Sequence, residues 1–298
     1  RMVEARGDFD RFLNEQLEKL QTDHIDFYLM HGLRASRWET VQAFDLLEQA
    51  EKAKQDGRIR YLGFSFHDTF DVFKEIVDGY DWTFCQIQYN YMNEDVQAGT
   101  KGLEYAASQG MAVVIMEPLL GGKLADPPDP VQEIWDSAEK DRTAVDWALQ
   151  WLWNKPEVSV VLSGMSTLQQ VKENVVSADR SGVGTMSDEE LAVIARARDT
   201  YNELCPIPCT GCRYCMPCPN GVDIPGNFSI FNNGVMYNAM EEARRRYGRK
   251  AEDERASACI QCQQCEDLCP QDIPISEWMP IVHQVLGEGR AFDTCTLP

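Results

Sequence analysis

The sequence has no long apolar run and few basic residues, and each shortage excludes a class of protein. No stretch reaches the roughly 18 consecutive apolar residues that cross a membrane, and the N-terminus has no signal-peptide pattern. Lysine and arginine number 28 against 48 acidic residues, which gives a net charge of −20. Because nucleic acids and anionic lipids attract basic surfaces, we expect neither nucleic acid nor a membrane as a partner.

Cysteine, by contrast, is plentiful and concentrated in two runs, CTGCRYCMPCP and CIQCQQCEDLCP. Each run has cysteines at i, i+3 and i+6 and a fourth one followed by proline. A loop with this spacing wraps a [4Fe–4S] cluster, and the fourth cysteine usually binds the other cluster. The crossover assigns Cys209, Cys212, Cys215 and Cys269 to one cluster, and Cys259, Cys262, Cys265 and Cys218 to the second. The first run is one residue shorter before its last cysteine, so this division stays open.

Zinc and disulfides are the alternatives to two clusters. A structural zinc site pairs two distant ligand pairs and needs only four ligands, whereas three thiols are packed here within seven residues, twice, with no histidine nearby. Two [4Fe–4S] clusters are therefore favoured. Thiols kept for metal indicate a reducing, low-oxygen cytoplasm. Of the other three cysteines, Cys85 is expected in the core, Cys205 is a spare surface thiol or a substitute ligand, and Cys295 has no assigned role.

Apolar strands alternate with amphipathic helices over the first two hundred residues, which predicts parallel strands covered by helices. The segment WETVQAFDLLEQAEKAKQDG is predicted as one helix that ends at Gly57. The first helix, DFDRFLNEQLEKLQ, is predicted to bury one face, made of Phe9, Phe12, Leu13, Leu17 and Leu20. The strand units lie at about residues 24–31, 60–66, 82–90, 111–118 and 158–163. Polar residues gather where these strands end: His31, Ser65, His67, Gln86, Gln88, Asn90, Glu117 and Ser163. In (β/α) barrels this end of the strands carries the chemistry. A doubly wound open sheet is the structural alternative, although no G-x-G-x-x-G follows any strand.

A domain boundary is predicted near residue 204. Ser187 and Glu190 have the spacing of a capping box that opens a connecting helix. After this helix the composition changes to Cys, Pro, Gly and Asn. We therefore predict a barrel segment over residues 1–204 and a small α-helical ferredoxin-like domain over 205–298, with one helix between the two cysteine runs.

The segments that carry a family resemblance follow one another in order: LEKLQTDHIDFYLMH, GRIRYLGFSFH, CQIQYN, VVIMEPLLGG and VLSGMSTLQQVKENV, then the two cysteine runs. Together they resemble the branch of the aldo–keto reductases that carries a C-terminal 4Fe–4S dicluster ferredoxin domain. The resemblance implies an α/β fold with a partial (β/α)8 TIM barrel, strands four to eight, or about five of the eight βα units.

The same resemblance implies roles for individual residues. His31 matches the histidine that donates a hydrogen bond to the substrate carbonyl oxygen, and Ser65 and Gln86 match residues that hold the nicotinamide carboxamide. The adenosine end of the cofactor is expected at Gln170, Glu173 and Asn174.

Two departures from the family pattern bear on the cofactor. Met116 stands where many members stack an aromatic ring on the nicotinamide, and Gly164 and Gln170 stand where many carry the cation that binds a 2′-phosphate. The choice between NADH and NADPH is therefore open.

The family's proton-donor Tyr, with its Asp and Lys partners, lies on strands two and three, upstream of the histidine strand. Only the first 30 residues precede His31, and they contain no strand unit. We therefore expect the chain to be a fragment of a protein roughly 80–100 residues longer, at about 30 residues per βα unit, and not to be competent by itself. Tyr89 and Tyr91 are expected to be core and rim residues and not substitute donors.

The expected function is an NAD(P)-dependent oxidoreductase acting on a small carbonyl or alcohol substrate, with a redox protein as a further partner. Hydride carries two electrons and each cluster one, so a flavin is an open additional cofactor, although the sequence shows no flavin motif. One alternative is an electron-transfer protein whose barrel serves as a docking scaffold. In another, the clusters only stabilise a small domain. Nothing in the sequence indicates the substrate.

Overall fold

A computed structural model describes residue 3 and residues 5–292, so Cys295 lies outside the described residues. The chain divides into two compact units, which are considered separately below. The first comprises residues 1–122 and 145–191, and the second comprises residues 123–144 and 192–298. The domain boundary predicted near residue 204 stays a prediction.

Five parallel strands form the sheet of the first unit, in an order that follows the chain. They are β1 (Ile25–Leu33), β2 (Ile59–Phe66), β3 (Phe84–Gln88), β4 (Ala112–Met116) and β5 (Val158–Val161). All five lie within about two residues of the predicted units, and the predicted α/β class is confirmed. Apolar runs between amphipathic helices produce this arrangement because parallel strands are covered on both faces.

The described part of the chain contains twelve α-helices, several of which alternate with the strands. They are α1 (Asp8–Leu20), α2 (Ala35–Ala43), α3 (Leu46–Gln55), α4 (Phe70–Asp78), α5 (Gly99–Ser108), α6 (Asp129–Asp136), α7 (Ala144–Trp153), α8 (Leu168–Asp179), α9 (Asp188–Glu203), α10 (Ile224–Met236), α11 (Met240–Gly248) and α12 (Ile275–Leu286). No helix among these residues is long and apolar enough to cross a membrane.

Two helices that the sequence predicted as continuous are broken. The segment from Trp38 to Gly57 was expected as one helix, but α2 and α3 are separated because Asp45 adopts a left-handed φ of 51°. The helix predicted between the cysteine runs is likewise two helices, α10 and α11, with Asn238 at a φ of 49° between them. Aspartate and asparagine tolerate this conformation better than most residues, so they can end a helix without glycine.

The predicted amphipathic face of α1 is largely correct, since Phe9, Phe12, Leu13 and Leu17 are buried, whereas Leu20 is 64% exposed. The capping box of α9 is also present: the Ser187 amide donates to the Glu190 carboxylate over 2.9 Å and the Glu190 amide donates to the Ser187 hydroxyl over 3.3 Å. Periodicity and capping spacing therefore located both helices.

Aromatic residues fill the core between the sheet and its helices. Phe64 packs edge-on against Trp82 with ring centroids 4.9 Å apart, and Phe66 packs against Phe73 at 5.0 Å. Tyr89 and Tyr91 are both fully buried, so both belong to the core and neither to the rim, and Cys85 is buried in the core as predicted. Burial raises the pKa of the Cys85 thiol well above its usual value, as expected for an inert core cysteine.

The second unit contains a helical core, as predicted for the C-terminal domain. Buried apolar side chains from α10, α11 and α12 form this core, and the cysteines of both runs pack against it. Phe231 contacts Trp278 and Phe292 at centroid distances of 6.0 and 5.0 Å. The core therefore provides a rigid support for the two cysteine loops.

Candidate functional site

The carboxyl ends of β1, β2 and β3 bring three of the predicted site residues to the same edge of the sheet. Met30 on β1 pairs with Phe64 on β2 and Leu33 with Phe66, so His31 and Gly32 occupy the register shift opposite Ser65. Ser65 pairs with Gln86 on β3. Since parallel strands end on the same side, His31, Ser65 and Gln86 form one row, as expected for the chemical face of a barrel segment.

The backbone around His31 is held by two hydrogen-bonded contacts. The Gly32 amide donates to the Ser65 hydroxyl over 2.7 Å. The Arg37 guanidinium, on α2, donates through Nη1 to the carbonyls of His31 at 3.0 Å and of Gly32 at 2.9 Å. Gly32 itself has a φ of +64°, where the β1–β2 register shifts. This conformation favours glycine, so the strand end that presents His31 depends on Gly32, Ser65 and Arg37.

His31 is exposed, and its pKa is lowered from the usual value. Desolvation is the largest cause, and the positive charges of Arg37 and His67 act in the same direction. The imidazole is therefore neutral over most of the physiological range. A neutral imidazole carries one N–H, which is the group that can donate a hydrogen bond to a carbonyl oxygen.

Gln86 and Ser65 are both held by neighbours. The Gln86 amide nitrogen donates to the Met116 sulfur on β4 over 3.4 Å, which leaves the amide oxygen as an acceptor. Ser65 is 2% exposed and uses its oxygen as an acceptor from Gly32. A hydroxyl and an amide fixed side by side fit the carboxamide of a nicotinamide, which both donates and accepts hydrogen bonds.

The residues expected at the adenosine end lie on α8 and are only partly available. The Gln170 side chain accepts from the amides of Ser166 at 2.8 Å and Thr167 at 3.1 Å, which completes a capping box with Thr167. Glu173 accepts from the Gln169 amide at 2.7 Å. Gln170 and Glu173 therefore have local structural roles, and their predicted role in binding stays a prediction.

Asn174 is the α8 residue that reaches a strand end. Its Nδ2 donates to the Ser163 hydroxyl over 3.0 Å, just beyond β5. Of the three predicted α8 residues, Asn174 is thus tied to the loop at the carboxyl end of the sheet.

A further polar chain at this end could not be foreseen from the sequence. The His67 ring bonds the Gln97 amide oxygen at 3.2 Å, and the Gln97 amide nitrogen donates to the Gln88 oxygen at 3.0 Å. Gln97 adopts a left-handed φ of 59° and comes from the loop before α5. Gln88 and His67 were noted as strand-end residues, but their connection depends on this loop conformation.

In the second unit the eight cysteines of the two runs line two cavities, four in each. Cys209, Cys212, Cys215 and Cys269 line the first cavity. Cys218, Cys259, Cys262 and Cys265 line the second. The structure therefore groups the cysteines in the crossover that the sequence suggested, with the last cysteine of each run in the other run's cavity. Their role as cluster ligands stays a prediction.

The walls of these cavities come from the helical core. Ile224, the first residue of α10, lines both cavities, so they lie on either side of one side chain. Phe228, Ile273 and Ile275 complete the apolar wall of the first. Apolar walls around convergent thiols suit an iron–sulfur cluster, whose potential depends on its exclusion from solvent.

The two cysteine loops have the same backbone conformation at matching positions. The second residue after the first cysteine is left-handed in each loop, Gly211 at 71° and Gln261 at 56°. The fourth residue after it is left-handed as well, Arg213 at 65° and Gln263 at 62°. The Gln261 amide donates to the Cys259 sulfur over 3.4 Å. Such repeated turns direct amides and sulfurs toward one centre, as a nest does.

The thiols carry no disulfide: the ten described cysteines are all free. Burial raises the pKa of Cys209, Cys215, Cys259 and Cys265, the last to about 11. Within the described residues no three His, Cys, Asp or Glu side chains are grouped to hold a single metal ion. A cluster is compatible with this spacing, because each thiolate of a [4Fe–4S] site binds a different iron atom.

Cys205 lies outside the linings of both cavities. It is half-buried, and its sulfur donates to the Ile207 carbonyl over 3.4 Å. Its expected position at the surface is therefore only partly met, and a role as substitute ligand stays open.

Two family models match the chain. That of the aldo/keto reductase family matches residues 4–197, and that of the 4Fe-4S dicluster domain matches residues 208–273. The second match favours iron–sulfur chemistry over zinc for the cysteine runs.

Individual relatives and structures agree with these matches. L-galactose dehydrogenase of Arabidopsis thaliana is 27% identical over 197 residues, which cover 61% of each chain. The uncharacterized oxidoreductase YqkF of Bacillus subtilis is 25% identical and covers 61% of this chain and 63% of its own. The holo form of aldo-keto reductase AKR11C1 from Bacillus halodurans superimposes with a TM-score of 0.53 at 26% identity over 65% of each chain.

The chain thus spans less than two thirds of these relatives' length. The matched segment itself covers well over half of the chain, and its sheet has the register and strand-end residues described above. The chain belongs to the aldo/keto reductase family of oxidoreductases and carries a 4Fe-4S dicluster domain after the reductase segment.

Proposed function

We propose that this protein is an NAD(P)-dependent oxidoreductase that interconverts a small carbonyl compound and its alcohol, and that two [4Fe–4S] clusters carry single electrons to or from a redox protein. The observation that carries the proposal is the division of eight cysteines into two cavities of four thiols. We further propose that it works in a reducing, low-oxygen cytoplasm, because exposed clusters and free thiols are lost to oxidation.

His31 is the proposed catalytic residue. When bound, the nicotinamide supplies or accepts the hydride at the substrate carbon. The neutral His31 imidazole donates a hydrogen bond to the substrate oxygen, where negative charge develops as the hydride arrives. Its lowered pKa favours the neutral ring, which carries one N–H donor, at neutral pH. The reaction also needs a proton donor, which the family places on strands that precede the histidine strand.

Ser65 and Gln86 are the proposed partners of the nicotinamide carboxamide. Their fixed positions, through Gly32 and Met116, would orient the ring at little entropic cost. Asn174 is the proposed contact to the adenosine end, with Gln170 and Glu173 beside it on α8. Whether NADH or NADPH is used is tested below, and a flavin in addition remains an open alternative.

The first experiment is anaerobic iron and acid-labile sulfide analysis of the full chain. About eight of each per chain are expected for two [4Fe–4S] clusters. Four of each would reduce the proposal to one cluster. Zinc in place of iron would overturn it.

The second experiment tests the nicotinamide site by fluorescence titration of the full chain with NADH and, separately, NADPH. Gln86→Leu should weaken binding of the preferred cofactor at least tenfold, because it removes a half-buried hydrogen-bonding partner. Gln109→Leu, at an exposed position after α5, is the control and should bind normally. Absence of binding by either cofactor would contradict the nicotinamide assignment and leave the cluster assignment standing.

The third experiment addresses His31 in a preparation that reduces carbonyl substrates. His31→Gln should lower kcat about 100-fold, the usual cost of losing one donor to a developing oxyanion. His24→Gln is the matched control, since His24 lies at the other end of the strand, beside Asp23. Equal activity of both variants would exclude His31 as the catalytic donor.

A further inference from the structure

We propose that the two clusters have different reduction potentials, because each loop has a charged residue, Arg213 in the first and Glu266 in the second, where the other loop has a neutral one, and the two charges are opposite. The cluster bound by Cys218, Cys259, Cys262 and Cys265 would have the lower potential, and electrons would pass from it to the other cluster. This rests on the proposed presence of two clusters and concerns how they differ.

The two loops allow a position-by-position comparison because their backbones match. Arg213 and Gln263 are each the fourth residue after the first cysteine of their run, with φ values of 65° and 62°. Each of the two lines the cavity of its own loop. One cavity therefore has a cationic side chain where the other has a neutral amide.

Arg213 is the cation that lies at the first cavity. Its guanidinium is 3.7 Å from Asp223, whose other carboxylate oxygen is 2.7 Å from Lys250 Nζ, and Lys250 also lies 3.9 Å from Glu254. Two cations and two carboxylates therefore form this group. Of the four, Arg213 is the one that lines the first cavity, so its positive charge is the one nearest the cavity.

The second loop has a carboxylate where the first has an apolar side chain. Glu266 directly follows the third cysteine of its run, as Met216 does in the first. Glu266 is half-buried, and its Oε1 accepts from the Ser276 amide at 2.6 Å, while Ser276 lines the second cavity. The carboxylate is therefore fixed beside a residue of the cavity wall.

Net charge and hydrogen bonds near a cluster set its potential. Reduction adds a negative charge, which a nearby cation stabilises and a nearby carboxylate opposes. Arg213 therefore raises the potential of the first cluster and Glu266 lowers that of the second. Both charges make the potential of the first cluster higher than that of the second, so the electron moves from the cluster in the second cavity to the cluster in the first. Ile224, which lines both cavities, is the side chain between them.

The test is a redox titration of the anaerobic, cluster-loaded full chain, followed by EPR. Two midpoint potentials are expected for the wild type. Glu266→Gln keeps the acceptor for Ser276 but removes the charge, and it should raise the lower midpoint and leave the higher one in place. Arg213→Gln should lower the higher midpoint and leave the lower one in place.

Glu241→Gln, in the first turn of α11, is the matched charge control and should shift neither midpoint. The exchange variant Arg213→Gln with Gln263→Arg should bring the two midpoints closer together. Iron and sulfide contents are measured on every variant. If the protein holds two clusters and neither midpoint potential shifts in Glu266→Gln or Arg213→Gln, this inference is overturned while the proposed function stands. Fewer than two clusters in the wild type would overturn both.

Discussion

The Gly32 amide donates a hydrogen bond to the Ser65 hydroxyl over 2.7 Å and so joins the carboxyl ends of β1 and β2. The residue before Gly32 is the proposed catalytic His31. The residue that accepts the bond is a proposed nicotinamide partner. One hydrogen bond therefore couples the two halves of the proposed site, and Arg37 adds two bonds to the same backbone from α2. The site is organised through main-chain groups, which substitution of His31 alone would leave in place.

Gly32→Ala should destabilise the first unit by about 1–2 kcal/mol, because a Cβ is disfavoured at a φ of +64°. The new Cβ would also clash with Arg37 Nη1 and displace the guanidinium from the His31 and Gly32 carbonyls. Urea unfolding followed by circular dichroism measures the change.

Gly57→Ala is the matched control for this prediction. Gly57 has a φ of +83° but no atom within 4 Å of the added Cβ, so it reports backbone strain alone. In the wild type, Gly32→Ala should lower the free energy of unfolding more than Gly57→Ala does. In an Arg37→Met background the two substitutions should lower it equally, because the bonds from Arg37 to the His31 and Gly32 carbonyls are already absent. Equal costs in the wild type would show that Arg37 does not hold the strand end.

His31 should titrate below the usual histidine range, and Arg37→Met should raise its pKa. Desolvation is the largest cause of the lowered pKa, and removal of Arg37 takes away one of the charges that add to it. In the unfolded chain His31 takes up its proton near the ordinary value of about 6.5. The folded state is therefore penalised as the pH falls below that value, and the penalty is complete below the lowered pKa.

Proton NMR of the histidine rings measures these midpoints, and the His31 signal is identified by its loss in His31→Gln. Arg11→Met, on the exposed surface of α1, is the control and should leave the midpoint of His31 unchanged. A His31 midpoint that stays the same in Arg37→Met would show that the guanidinium does not act on the ring.

The five strands could be predicted because buried parallel strands are short, mainly apolar runs, and runs such as TFCQIQ are too short for a helix and lie between amphipathic helices. The crossover of the cysteines could be suggested from the usual pattern of such runs, in which the fourth cysteine binds the other cluster, although the shorter first run left the division open. The Arg37 contacts could not, because they depend on a left-handed Gly32 that brings two carbonyls under one guanidinium. The breaks at Asp45 and Asn238 were also missed, because a left-handed Asp or Asn is set by packing. Similarly, no composition change marks residues 123–144 as part of the second unit.

Asp223→Asn should destabilise the second unit by about 1–2 kcal/mol at neutral pH, the usual range for an N-cap and a charged hydrogen bond. Asp223 accepts from the Gly226 amide at the start of α10 and from Lys250 Nζ at 2.7 Å. Partial burial acts to raise its pKa, but the bond and charge of Lys250, together with the Gly226 amide and the charge of Arg213, lower it.

The lowered pKa fixes how this difference depends on pH. The contribution of Asp223 is present above the unfolded value of about 3.9 and is lost as the pH falls through the lower folded value. Anaerobic thermal unfolding of Asp223→Asn should therefore show a reduced Tm at pH 7 and a difference from wild type that shrinks at the acid end. Asp253→Asn, at an exposed position, is the control. A difference that grows with acidity would contradict the assignment.

Single cysteine variants should divide into two groups that cross the two runs. Cys269→Ala should abolish the same EPR signal as Cys212→Ala, although Cys269 belongs to the other run, because both thiols line the first cavity. Cys218→Ala should abolish the signal that Cys262→Ala abolishes. In each variant the iron content should fall from about eight to about four per chain, since loss of one ligand releases one [4Fe–4S] cluster.

Cys205→Ala is the control for this series, because its thiol lines neither cavity and should leave both signals and the full iron content intact. If Cys269→Ala instead removed the signal that depends on Cys262, each run would bind its own cluster and the crossover would be wrong. The two signals can be told apart if the clusters differ in potential, because reduction at an intermediate potential then shows one without the other. The same titration that tests Arg213 and Glu266 therefore also identifies which thiols hold which cluster.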